Sequence, residues 1–215
     1  MKMHRRYSIW DRLCLGLDQT VRALTDNAKT TGLAYPAKGI AEASLSQEQR
    51  KQSAALMRIN HAGEICAQAL YHGQGVVSRS HEVQEKMHQA AIEEGDHLTW
   101  CRQRLDELGS HPSFLNPIWY VGSFCIGMVA GMVGDKWSLG FVAETEKQVI
   151  KHLKGHLHVL PPQDQRSYKI LLQMETDEAK HRDEAVTLGA RELPKVIKQS
   201  MSLTSKIMVK TAYWV

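Results

Sequence analysis

Apolar and polar residues along this chain follow helical spacing, and no run of alternating β-branched residues flanked by turn signals interrupts them. Six prolines, Pro36, Pro112, Pro117, Pro161, Pro162 and Pro194, divide the sequence into long proline-free segments. The pattern predicts helices at about 8–25, 46–77, 80–108, 118–155, 162–188 and 195–213. Ser46 and Ser80 stand where a side-chain oxygen caps the second and third of these. Pro161-Pro162 suits a first helical turn, where no amide hydrogen is needed, and Gly189 suits the left-handed residue that ends a helix. The segment 26–45, with Gly32, Pro36 and Gly39, reads as a loop tying an N-terminal helix to the rest. No break in composition follows it. The whole chain, 1–215, is therefore expected to form one all-α domain: N-terminal helix and loop over 1–45, a bundle over 46–190, and an amphipathic tail helix over 191–215.

Composition adds little to that picture. A chain of 215 residues, 43% apolar and 23% charged, is long enough for a substantial core and ordinary for a globular protein. A net charge of +4 permits contact with anionic lipid or nucleic acid and compels neither. Cys14, Cys66, Cys101 and Cys125 never form a Cys-x-x-Cys pair, which argues against a zinc ribbon or a thioredoxin-like motif. They read as free thiols in a reducing compartment. Asp11, Arg12 and Asp18 interrupt the first apolar residues, so no secretory signal is read. The expected location is the cytoplasm or the cytoplasmic face of its membrane.

Two Glu-x-x-His tetrads change the picture: Glu94-Gly95-Asp96-His97 and Glu178-Ala179-Lys180-His181. Residues three apart on a helix differ by about 60° in direction and about 4.5 Å in height, so both side chains reach one point. One tetrad alone is weak. Here, however, Glu64 lies 30 residues before Glu94, and Glu146 lies 32 residues before Glu178. Each half thus reads as a helix bearing a Glu, followed by an antiparallel helix bearing Glu-x-x-His. Two such pairs facing each other place four carboxylates and two imidazoles in a bundle core, the composition of a di-iron or di-manganese carboxylate centre. The predicted architecture is a ferritin-like four-helix bundle with extra amphipathic helices at both ends. Its expected metal ligands are Glu64, Glu94, His97, Glu146, Glu178 and His181.

Charge supports this reading, because four ionised carboxylates buried together need cations, and two divalent metals offset them. Mixed oxygen and nitrogen donors suit iron; the ligand types alone accommodate manganese as well. Glu93, Asp96, Glu144, Asp177 and Asp183 flank the ligands at other angles and are expected to face water. His61, three residues before Glu64 on the same face, and His152, six after Glu146, are expected beside the ligands rather than among them. His156 and His158 are expected in solvent, and Tyr71 in core packing.

The stretch Arg58-Ile59-Asn60-His61-Ala62-Gly63-Glu64, the Gly73-Gln74 beyond it, both Glu-x-x-His tetrads and the glycine-rich apolar segment before Glu146 resemble the demethoxyubiquinone hydroxylases of ubiquinone biosynthesis. The resemblance covers about residues 46–215. It implies two iron ions on the six ligands above, and a monooxygenase acting on a polyprenylated quinol ring with dioxygen. NADH or the quinol itself is implied as electron donor, and a part in electron transfer for His152. Leu153 stands where animal members are expected to carry tyrosine, so that hydroxyl's role is not carried over. No Gly-x-Gly-x-x-Gly follows a strand, so a nicotinamide site would not be a Rossmann fold.

A polyprenyl substrate requires access to a bilayer. Residues 108–134 contain no Asp, Glu, Lys or Arg, but the part from Ile118 to Gly134 is only 17 residues long, shorter than the roughly 20 residues of a spanning helix. An interfacial helix is expected there, with Trp119, Tyr120 and Trp137 at headgroup level and Gly127 and Gly131 allowing close approach. Lys195, Lys198, Lys206 and Lys210 among apolar neighbours, and Lys2, Arg5 and Arg6 near Ile9, Trp10, Leu13 and Leu17, read as basic amphipathic helices on a lipid surface. The chain is thus expected to be a peripheral membrane protein that does not bind nucleic acid, with a homo-oligomer left open. The rival readings are a ferritin-like iron or peroxide oxidoreductase and a di-iron tRNA hydroxylase. The first needs no charge-free apolar segment; the second needs a basic, aromatic-studded groove.

Overall fold

The computed structural model describes residues 9–25 and 27–215, with side chains described from Gly16 onward except Leu17. Lys2, Arg5 and Arg6, and the side chains of Ile9, Trp10, Leu13, Cys14 and Leu17, lie outside the described residues. Seven helices follow in order: α1 (Ile9–Leu24), α2 (Gln47–Val77), α3 (His81–Glu107), α4 (Asn116–Val133), α5 (Asp135–Val159), α6 (Gln165–Thr187) and α7 (Lys195–Ala212). Among the described residues there is no strand.

Local chemistry sets most boundaries. Ser46 caps α2 in a full capping box with Gln49, and the Ser80 hydroxyl accepts from Val83 N at the start of α3. Two expectations are corrected. The single helix over 118–155 is two helices, because Gly134 takes φ 129°, a conformation L-residues rarely adopt. Pro161-Pro162 form the turn before α6 rather than its first turn; Asp164 is the cap, accepting from Ser167 N. Gly189 does end α6, at φ 93°, with Ala190 N donating back to Ala185 O.

Helices α2, α3, α5 and α6 form the bundle. Its direction can be read from two apolar clusters. One contains Met57, Trp100, Leu105, Leu153, Ile170 and Met174; the other contains Tyr71, Met87, Ala91, Leu139, Val142 and Ala185. Along α2 and α6 the first cluster comes before the second, and along α3 and α5 the order is reversed. The six expected ligands fall between the two clusters on every helix. Because α3 and α5 run in the same direction, the chain must cross the length of the bundle between them, and α4 makes that crossing beside α2.

The α2–α4 contact is backbone on backbone. A Cβ at Gly73 would strike the Phe124 carbonyl, and one at Gly127 the Leu70 carbonyl. The opposite face of α4 exposes Ile118, Val121, Val129, Met132 and Val133. Elsewhere, buried Arg104 joins Glu42, Glu107 and Asp164, fastening the loop before α2 to the α3 and α6 ends. Helix α7 lies over α2 and α5. Arg58 holds its end, donating to the Tyr213 carbonyl at 3.0 Å.

The glycine seam makes a stability prediction. Gly127→Ala is expected to lower the stability of the folded chain by roughly 1–3 kcal/mol through overpacking. Gly122→Ala, exposed with open space around it, should be neutral or stabilising. Urea unfolding followed by circular dichroism checks both; equal midpoints would show that the seam does not depend on Gly127.

Candidate metal centre

Between the two apolar clusters, Glu64, Glu94, His97 and Glu178 offer donor atoms that all lie within 4.8 Å of one another, and all four residues are buried. His181 joins them through Nδ1, 3.2 Å from Glu178 Oε2 and 3.3 Å from Glu94 Oε1. His97 Nδ1 lies 3.0 Å from Glu94 Oε2 and 3.2 Å from Glu178 Oε1. Glu146, 1% exposed, completes the group: its Oε1 accepts from the Tyr71 hydroxyl. All six expected residues are brought to one level of the bundle.

The electrostatics of this cluster are extreme. Burial, then the charge of Glu94, pushes the Glu64 carboxyl well above the usual carboxylate range. Burial, then Glu178 and Glu94, does the same to Glu146. Burial also acts against Glu94, but hydrogen bonds from His181 and His97 outweigh it and hold Glu94 well below that range. For both imidazoles burial favours the neutral form, and the carboxylates around them overcome it, raising His97 and His181 far above the usual histidine range. Imidazolium charge thus stands where added cations would otherwise sit. Glu146 Oε2 is buried with no hydrogen-bond partner among the described residues. The oxygen-rich donor set, the two inward Nδ1 atoms and this unpartnered oxygen fit a pair of divalent cations of the iron or manganese type.

Three flanking acids expected in solvent have other roles. Asp177 on α6 meets His97 Nε2 at 3.1 Å, and Glu93 on α3 meets His181 Nε2 at 2.6 Å. Each helix therefore steadies the imidazole of the other, with Nδ1 turned inward and Nε2 held by an outer carboxylate. The His181 bond holds Glu93 down, to about 2, against the opposing effect of partial burial. The signal was present in the sequence: both tetrads are preceded by a further acid, Glu93-Glu94 and Asp177-Glu178. Asp96 is 2% exposed, and its carboxylate accepts from Thr31 N, Thr31 Oγ1 and Gly32 N. Glu144 is half-buried near Lys198, 3.8 Å away, while Asp183 stays at the surface as expected. Tyr71 packs in the core but also orients Glu146, a role that apolar spacing did not suggest.

His61 is buried, and its Nδ1 accepts from Asn116 Nδ2 at 3.3 Å. His152 is half-buried, with Nε2 3.2 Å from Ser205 Oγ, and burial lowers its pKa. His158 is exposed, as expected. His156 is not: it is 8% exposed, and its Nδ1 lies 3.1 Å from Asn60 Oδ1 on α2.

A cavity of about 400 Å³ reaches this centre. Its walls come from α2, α4, α5 and α7, and Glu64 lies on its inner wall beside Gly63 and Ala67. Leu70, Trp119, Ile126, Phe141, Val149 and Met208 make most of it apolar, and Asn60, His152 and His156 form a polar strip.

Residues 51–212 match the family described as "Ubiquinone biosynthesis protein COQ7". The chain belongs to this family. Proteins named 3-demethoxyubiquinol 3-hydroxylase are similar over nearly their whole length. That of Nitrosococcus oceani is 52% identical over 211 residues, 98% of this chain and 99% of the relative. That of Acinetobacter baumannii is 51% identical over 210 residues, again 98% and 99%. Among solved structures, a bacterioferritin-related dodecameric thioferritin of Bacteroides fragilis superposes with a TM-score of 0.55 at 16% identity, covering 64% of this chain and 84% of that one. That likeness establishes the ferritin-like fold of the COQ7-family chain, and the four-helix bundle agrees with it.

An outer carboxylate makes a measurable contribution to a metal site. Asp177→Asn is expected to weaken iron binding by roughly 10–100-fold while helix content is kept. Iron titration of the variant beside the unsubstituted protein checks this, and equal affinities would detach Asp177 from the centre.

Proposed function

We propose that the protein is a di-iron monooxygenase that hydroxylates the ring of a polyprenylated demethoxyubiquinol in ubiquinone biosynthesis, with NADH or the quinol itself supplying electrons. The observation that carries this reading is the apolar cavity with a ligand-type carboxylate, Glu64, on its inner wall. A storage or peroxide-reducing bundle needs no such apolar approach to its metals. A ring lodged there lies against the centre, and its isoprenoid tail can leave between apolar walls. The names of the relatives, all hydroxylases of this ring, favour the same substrate.

Glu64, Glu94, His97, Glu146, Glu178 and His181 are the residues that would hold two iron ions. Iron held by them would supply the reductive activation of dioxygen, by which one oxygen atom would go to the ring and the other to water. The chain itself supplies position and dryness. Asp177 and Glu93 hold the two imidazoles with Nδ1 inward, Tyr71 holds Glu146, and the apolar cluster on either side excludes water from the level of the ligands.

The same reading places the protein on the cytoplasmic face of the cell membrane. Helix α4 is 18 residues long and the one described helix apolar enough to cross a bilayer by length and composition. Its packing on α2 along one face and its apolar exposure on the other favour a helix lying in the interface. Helix α7 exposes Val196, Leu203 and Ile207 among its lysines, with exposed Trp214 just beyond its end, which suits the headgroup layer of an anionic membrane.

Two experiments test the proposal. Cells lacking the protein are expected to accumulate the demethoxy quinone and lose ubiquinone in a mass-spectrometric profile, and Glu178→Ala should fail to restore it. An unchanged quinone pool would move the substrate elsewhere, and rescue by Glu178→Ala with full iron content would remove that ligand. On lipid, the double substitution Leu203→Glu, Ile207→Glu should reduce co-flotation with anionic vesicles at least about fivefold with iron content intact. Undiminished flotation would exclude α7 as the docking face.

A further inference from the structure

One polar atom of the cavity wall, on His156, is left without a partner. Asn60 stands one turn before Glu64 on α2, so both side chains project toward the cavity. Its Nδ2 donates to the Leu56 carbonyl at 2.9 Å, which accepts only and so fixes the amide orientation. Oδ1 is then the atom that meets His156 Nδ1 at 3.1 Å. A carbonyl oxygen accepts, so Nδ1 of His156 carries the hydrogen. Burial, then the neighbouring His152, lowers the His156 pKa to about 4, so the ring is neutral at neutral pH and carries no second N–H. Its Nε2 is left as a lone-pair acceptor with no hydrogen-bond partner among the described residues.

We propose that His156, held in its Nδ1-protonated form by Asn60, accepts a hydrogen bond from a ring hydroxyl of the bound quinol and so selects the reduced ring over the quinone. The inference rests on the quinol reading of the cavity and adds the residue that reads its oxidation state. A quinone has carbonyl oxygens, which only accept; a quinol has hydroxyls, which donate and accept. His156 Nε2 serves only the quinol, and opposite a quinone it faces a second lone pair with its own hydrogen-bonding need unmet. Such an arrangement favours the ring with the higher electron density next to the metals and leaves the oxidised form free to depart. His152, the imidazole beside His156 on α5, is already engaged by Ser205.

The test uses the full iron-loaded chain and a demethoxyquinone carrying a two-isoprene tail, in oxidised form and reduced under nitrogen. Calorimetric titration is expected to show the unsubstituted protein binding the quinol about tenfold more tightly than the quinone. In His156→Phe, which keeps a ring but has no acceptor, that preference should vanish through weaker quinol binding, with quinone affinity and iron content unchanged. The quinol KM should rise by a similar factor, with kcat changed less than about threefold. Asn60→Leu, which frees the imidazole to exchange its hydrogen between nitrogens, should lose part of the preference, and it decides the matter should His156→Phe fail to fold. A retained preference in both variants, or equal weakening toward both ring states, overturns the inference. Failure of the unsubstituted, iron-loaded protein to hydroxylate the quinol under air would instead strike the functional reading, and the binding comparison would still decide the role of His156.

Discussion

Compensation of buried charge is the constraint on which the rest of this structure depends. Four carboxylates and two imidazoles lie at one level of the bundle, where ionised groups are costly unless matched. In the chain by itself they match one another: imidazolium against carboxylate, with Glu64 and Glu146 driven toward their protonated forms. Cations bound there would replace those protons, since a carboxyl or imidazolium group must give up its proton to become a ligand. The cost of unmatched charge also explains the outer frame. Asp177 and Glu93 engage the far nitrogens of the imidazoles, and the tyrosine hydroxyl engages one glutamate, so these three donors are held against rotation.

The apolar clusters above and below this level serve that same constraint. They exclude solvent that would otherwise screen the charges and weaken their orientation. Helix α2 has three duties at once. It carries Glu64, forms one wall of the cavity, and is the surface against which α4 packs without intervening side chains. The distance from the metal level to the exposed apolar face of α4 is therefore set by backbone contact rather than by adaptable side chains.

The fold and the six inward donors were legible because they depend on period and spacing. Glu-x-x-His puts two donors on one face, and similar intervals of 30 and 32 residues between ligand helices put four helices in register. Those features survive without knowledge of any tertiary contact. What was not legible depends on partners distant in the chain. Asp96 looked solvent-facing from its angle relative to Glu94 and His97, yet the loop carrying Thr31 and Gly32 covers that angle. His156 looked exposed because nothing local indicates that Asn60, 96 residues earlier on α2, packs against it. The break at Gly134 went unread, since one glycine in an apolar run gives no sign of the sign of its φ. Glu93 and Asp177 were a different kind of omission: the doubled acids were visible, but their significance emerges only when α3 and α6 are seen to exchange them.

Asp96 lies between the two donors of the α3 tetrad, and its carboxylate is the hub of the loop at Thr31 and Gly32. Gly95 beside it has no room for a Cβ, because the Lys29 carbonyl occupies that space. The loop is thus seated on the backbone of the very turn that presents Glu94 and His97. Such a contact makes a surface segment and a buried centre one cooperative unit, opening and closing with a shared free energy. Protection of that loop from amide exchange is then a gauge of order at the heart of the bundle, readable from outside without disturbing it.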